Sequence, residues 1–281
     1  MRATGRQVFL VCTTIAITLI AVSCSLAPEG PRPGTPAFQW NAAKQAFSAG
    51  DYAKAADNLE RVAKSDNEFT ARALPWRLVL LSGMAQGYID LAETFDKGAR
   101  ANRANPTPFL KLVNQYRNHA EDLAIQFIET LQKFSGASKK QKVILAFPYP
   151  TGSAAEITAL KRISSGILLP DAEVETVGKR VVEKQVLLAA CRAVGAPEDA
   201  AKTQQILKSD TVQVEWEVFA LAIAQELYDQ SQLFARDKLD RPDRLQMFCG
   251  KALESLQDVP DSKEVKTLKA AIQKSLKRVK G

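Results

Sequence analysis

The sequence predicts an all-α body of stacked antiparallel helix pairs with an irregular centre, and three observations carry that expectation. From Phe38 onward apolar residues recur at spacings of three and four, the period of a helix with one buried face. Helix punctuation falls between these stretches, with Gly50, Gly136 and Gly195 closing helical runs and Pro108 opening one. No alternating β-branched run bounded by hairpin signals stands out, so strands are not expected to organise the fold. The 281 residues are 46% apolar, 25% charged and 7% aromatic, the composition of a globular protein long enough to bury its own core.

In chain order, residues 1–23 read as a leader rather than as part of the fold. Arg2 and Arg6 precede Val8–Val22, an uncharged, mostly apolar run of 15 residues. A membrane-crossing helix needs roughly 20 residues, so this length fits the apolar region of a signal peptide. An ordinary secretory leader beside an incidental cysteine, or an uncleaved anchor, are the competing readings. Residues 24–38 form a tether, because Pro28, Pro31, Pro33 and Pro36 with Gly30 and Gly34 exclude helix and interior strand. At about 3 Å per residue it reaches roughly 40 Å.

Residues 39–281 form the helical domain. A first pair runs over 39–49 and 52–64, turning at Gly50-Asp51, with Tyr52, Ala55, Ala56, Leu59, Val62 and Ala63 in one apolar stripe. Thr107-Pro108 opens a long helix carried by Val113, Tyr116, Ala120, Leu123, Phe127, Leu131 and Phe134. Val143 to Phe147, closed by Pro148 and Pro150, is a helix end or a buried extended segment. Helices are expected over 154–164 and 171–194, joined through Gly166, and over 197–208. An Asp210…Gln213 pair resembling a capping box then opens a helix to about Lys238. Residues 243–256 and a terminal helix over 261–280 complete the chain.

Two stretches resemble known families. Ala21-Val22-Ser23-Cys24 resembles a bacterial lipobox, which implies cleavage before Cys24 and acylation of that residue. Ser25 after it, where Asp would retain a protein at the inner membrane, implies by the same resemblance an outer-membrane anchor facing the periplasm. The run from Trp40 to Val62 resembles a tetratricopeptide repeat (TPR), with Ala43, Ala46, Gly50, Tyr52, Ala55, Leu59 and Val62 at suitable intervals. Trp76, Gly87, Ala92 and Ala99 make a weaker second copy, offset from the first by 37 residues where the family period is about 34. The resemblance implies a TPR-like right-handed superhelix whose groove receives a protein partner, with Tyr52, Trp76 and Tyr88 as candidate groove residues.

The net charge of +7 is unevenly placed. Arg2 and Arg6 supply +2 of it and residues 263–281 supply +6, so the stretch between sums to −1. With the basicity confined to the two ends, nucleic acid is not an expected partner. In the terminal helix Val265, Leu268, Ile272, Leu276 and Val279 share one face and lysines fill the other. It reads as a solvated capping helix or as a contact for anionic headgroups or an acidic partner. No Gly-x-Ser-x-Gly elbow, dinucleotide or phosphate loop, Cys-x-x-Cys or His-Glu-x-x-His is present. His119 stands without partners, and Cys191 and Cys249 read as core residues or as a disulfide pair. Glu254-Ser255 lacks the glycine-rich segment that a lytic transglycosylase would need. No catalytic residue, metal ligand or cofactor is therefore expected.

The chain thus resembles, in layout, the TPR lipoproteins of outer-membrane assembly complexes, which implies a membrane-anchored, non-enzymatic interaction scaffold. A ligand-binding accessory of a TRAP-type uptake system is the alternative, and a peptidoglycan-active enzyme a weaker one.

Overall fold

In a computed structural model, which describes residues 30–135, 142–209 and 211–280, ten helices and one two-stranded ladder make up the body. The leader, Cys24 and the first part of the tether lie outside the described residues. The elements are α1 (Pro36–Ser48), α2 (Tyr52–Val62), α3 (Thr70–Ala101), α4 (Thr107–Ser135), β1 (Val143–Leu145), α5 (Thr158–Ser164) and α6 (Asp171–Ala193). They continue with α7 (Ala200–Ile206), β2 (Val212–Val214), α8 (Trp216–Ser231), α9 (Pro242–Ser255) and α10 (Lys263–Lys280).

The first hairpin forms as its sequence dictates. Gly50 takes a φ of 74°, the left-handed conformation that ends α1, and the Asp51 carboxylate accepts from Lys54 N to cap α2. One boundary differs from the expected tether, because α1 begins at Pro36 rather than after Phe38. Thr35 caps it by accepting from Phe38 N, and a proline in the first helical position gives up only an N–H that has no partner there anyway.

The expected second helix pair is instead one unbroken helix. α3 runs for 32 residues, about 48 Å at 1.5 Å per residue, straight through Gly87. Its glycines serve packing rather than turning. A Cβ on Gly83 would stand 2.5 Å from Val186 Cα, and one on Gly87 2.8 Å from Val182 Cα, so α6 crosses α3 backbone to backbone at these two points. Farther along, Gly98 meets the Ile163 carbonyl and the Phe109 ring. α4 returns antiparallel along another side of α3, with Phe95 against Phe109, Tyr88 against Tyr116, and Arg77 reaching Thr130. α2, α5, β1 and α8 also pack on α3, which is the axis of the body.

The irregular centre contains the strands. Val143 to Leu145 pairs antiparallel with Val212 to Val214, in the register Val143↔Val214 and Leu145↔Val212. Val143 to Phe147 is thus extended. The residues read as the start of a long helix are partly strand, since Val212 and Val214 flank an exposed Gln213. α8 begins only at Trp216 and stops at Ser231, and a 3-10 turn over Gln232–Phe234 leads into a loop with Asp240 at a φ of 51°. α5 and α7 are also shorter than the stretches expected, 154–164 and 197–208.

One large core joins residues from Trp40 to Ile272, and a smaller one gathers Phe95, Phe109, Ile163, Val177 and Val181 at the far end of α3. Val265, Leu268 and Ile272 of α10 are buried in the large core. No helix among the described residues is long and apolar enough to cross a membrane.

On an isolated helix Gly83→Ala would be stabilising by up to about 1 kcal/mol. At this crossing the substitution is expected to cost about 1–3 kcal/mol, because the methyl group meets backbone that cannot rotate away. A urea titration with an unchanged or higher midpoint for the variant would show that the two helices do not meet there.

Candidate functional site

The three residues expected to line a partner groove fall in different surroundings. Trp76 is 0% exposed and sits among Trp40, Phe47 and Phe147, with ring centroids 5.2, 5.4 and 6.0 Å away. It faces α1 because Trp40 and Trp76 occupy the inward stripes of α1 and α3, so it is core and presents nothing to a partner. Tyr52 is buried against Phe47, and its hydroxyl lies 3.2 Å from Thr151 Oγ1 at the base of a shallow depression beside Gly50, Lys179 and Glu183. Tyr88 is half-buried, stacked on Tyr116 and 5.3 Å from the ring of the exposed His119. The structure therefore does not bring the three residues together on one surface: Trp76 is core, Tyr52 borders the depression and Tyr88 lies on the α3–α4 face.

A different cluster holds several charges at depth, with Glu226 the most enclosed of them. α3 contributes Asp90, α6 contributes Gln185 and Arg192, and α8 contributes Glu226, Asp229 and Gln230. Asp90 accepts from Gln86 Nε2 at 2.8 Å and from Gln185 Nε2. Arg192 Nη1 donates to Glu226 Oε1 and stands 3.9 Å from Asp229 Oδ2. Glu226 and Asp229 thus flank the guanidinium, and the Asp90 carboxylate adds to the negative field around it. Glu226 is 3% exposed, and burial pushes its carboxyl up to about 7 against the opposing pull of Arg192. Burial likewise raises Asp90 and Asp229, while Glu226 holds the Arg192 guanidinium more firmly protonated. Glu226 Oε2, Gln86 Oε1 and both polar atoms of Gln230 have no partner among the described residues.

The sequence carried a signal for this seam. Phe219, Ile223, Glu226 and Gln230 share one helical stripe, so a carboxylate and an amide fall where apolar residues belong. Such placement predicts a paired buried charge, and the partner, Arg192, sits in an otherwise apolar run ending α6.

Beside this seam lies an open cavity of about 390 Å³. Pro197, Val218, Leu221 and Ala222 give it apolar walls, and Arg192, Gln225 and Glu264 supply its polar edge. Its volume falls within the range of small-molecule sites, and its chemistry suits a mostly apolar ligand with one polar end. Cys191 and Cys249 are both buried and free, and burial pushes both thiols up. Among the described residues no group of three or more His, Cys, Asp or Glu could hold a metal ion.

Because the folded chain holds the Glu226 proton up to about pH 7 while the unfolded chain releases it near 4.5, stability declines as pH rises between those values. The decline attributable to this carboxyl is about 3 kcal/mol. Glu226→Gln is expected to flatten much of that slope in urea titrations across the window, the remainder belonging to Asp90 and Asp229. An unchanged slope would place the titrating group elsewhere. Arg192→Met leaves the carboxylates without their counter-charge and is expected to cost about 3 kcal/mol at pH 8, and less at pH 5 where Glu226 is protonated. The same titration at the two pH values reads both numbers.

No family model matches the chain, and no curated protein or solved structure matches it.

Proposed function

We propose that the chain is a cell-envelope lipoprotein, acylated at Cys24, anchored in the outer membrane facing the periplasm, and serving there as a non-enzymatic scaffold for protein partners. An outer-membrane assembly complex is the setting that this layout suits best. The carrying observation is the order of signals at the N-terminus: Arg2 and Arg6, the apolar run Val8–Val22, the small residues before Cys24, then prolines up to the cap of α1. A single acyl chain binds only reversibly, so two or more chains on Cys24 give the stable attachment such a role needs.

The scaffold half of the reading draws on the TPR-like pattern of α1 and α2 and on an exposed apolar tip. Gly166 rests on Ala101 and Asn102, where Asn102 Nδ2 donates to the Gly166 carbonyl at 3.1 Å. Beyond it Ile167 and Leu168 are exposed, as is Leu110 in the first turns of α4 at the same end of α3. Clustered exposed side chains of this size are what a protein partner covers. The second reading, a ligand-binding accessory of an uptake transporter, is favoured by the cavity beside Arg192.

Mass spectrometry of the membrane fraction is expected to find residues 1–23 removed and Cys24 carrying a diacylglyceryl group, with Cys24→Ala leaving the leader uncut. An unmodified thiol at Cys24 would end the anchoring proposal. Replacing Ile167 and Leu168 with serine is expected to weaken partner binding about a hundredfold or more, read as loss of partner recovery after cross-linking in intact cells, given about 1.5–3 kcal/mol for each fully buried aliphatic side chain. Full recovery with both serines in place would remove that tip as the docking surface.

A further inference from the structure

We infer that the outward face of α10 is an electrostatic contact for an anionic lipid surface, which holds the body down against the bilayer rather than free on its tether. Val265, Leu268 and Ile272 are buried in the protein's own core, so this amphipathic helix has no apolar face to insert. On the opposite side Lys263, Lys266, Lys274, Lys277 and Arg278 are exposed. At 100° per residue these five fall within an arc of about 120°, and they extend over about 22 Å of helix. Only the neutral Thr267 and Ala270 share that arc, and both are exposed. Glu264 lies at the margin of the arc, hydrogen-bonded to Ser262 Oγ at 2.8 Å, and Lys269, on the other margin, is paired with Asp261 at 3.2 Å. None of the five cations in the arc forms an ion pair among the described residues.

The character of the stripe favours a lipid surface over an acidic protein. Four of its five cations are lysine, a strongly hydrated point charge on a flexible stem, suited to a diffuse field rather than to bidentate pairing. Within the arc the stripe carries no acidic side chain and no apolar side chain larger than Ala270 that would set the register of a folded partner. The stretch from Cys24 to Ser262 sums to −1, so the net positive charge of the mature chain is carried by this terminal helix. The proposal rests on the lipoprotein reading only for bringing the body within tether reach of a membrane. Each basic residue near an anionic surface contributes about a fivefold gain in affinity, so five together are enough to orient a body already tethered there.

The test uses residues 30–281, which contain both cores, since the buried clusters draw only on residues from Trp40 to Ile272. With the leader and Cys24 absent, its outcome is independent of whether Cys24 is acylated. Co-sedimentation is measured with vesicles of phosphatidylcholine, alone or with roughly one third phosphatidylglycerol, at an ionic strength of about 0.05 M and again at about 0.3 M. Binding is expected only to the anionic vesicles and only at the lower salt. Replacing Lys266, Lys274 and Lys277 with glutamine is expected to weaken it about a hundredfold, at fivefold per residue. Replacing the same three with arginine is expected to preserve it. Matched far-UV circular dichroism and melting of both variants check that the fold is intact. Equal binding to both vesicle types, binding to neither, or an unaffected glutamine variant would overturn the proposal. Retention on immobilised polyglutamate without vesicle binding would assign the stripe to an acidic protein and overturn it too.

Discussion

The close crossing of α3 and α6 sets the terms for the rest of the body. Two glycines one helical turn apart bring the backbones within contact at Val182 and Val186, and a helix fixed there at two points has no freedom left to rotate. That fixed rotation aims Asp90 at Gln185 and Arg192, turns Tyr88 toward α4, and leaves Gly98 to receive Ile163 and Phe109. In a close-packed interior, any widening of this crossing would be felt by the other helices that pack on α3, namely α2, α4, α5 and α8.

The same crossing explains why a charged seam is tolerated inside. Burying carboxylates is costly unless each finds a partner, and Arg192 reaches Glu226 and Asp229 only because α6 is held at that depth. Burial, with a smaller push from the neighbouring Asp229 carboxylate, outweighs the pull of Arg192, which is why Glu226 holds its proton to about pH 7. The interior charge and the cavity beside it are therefore parts of one neighbourhood, joined through Arg192.

Much of the helical architecture was legible in the sequence, because period and punctuation are local. Gly50, Gly166 and Gly195 all take positive φ and end helices where expected, and Thr107-Pro108 opens α4. The errors share one cause. Gly87 looks like a turn in sequence, yet a glycine within a helix also marks close approach of a second backbone, and only the position of α6 decides between these uses. Trp76 looks like an exposed recognition residue only while its neighbours are unknown, and the Val212–Val214 strand is too short to show a period until Val143–Leu145 lies beside it. The charge arithmetic at the C-terminus needed no fold at all, but which lysines face outward required the burial of Val265, Leu268 and Ile272.

The two-stranded ladder has a consequence for the order of assembly. It joins segments 71 positions apart in sequence, with three residues on each side. Its closure must wait until α5, α6 and α7 have been placed, because the entropy of closing so long a loop is recovered only by contacts already made. The local helical hairpins are expected to form before this long-range pairing. Because Val143, Leu145 and Val214 are buried in the large core, this short ladder ties two distant segments into the same interior that the helices share.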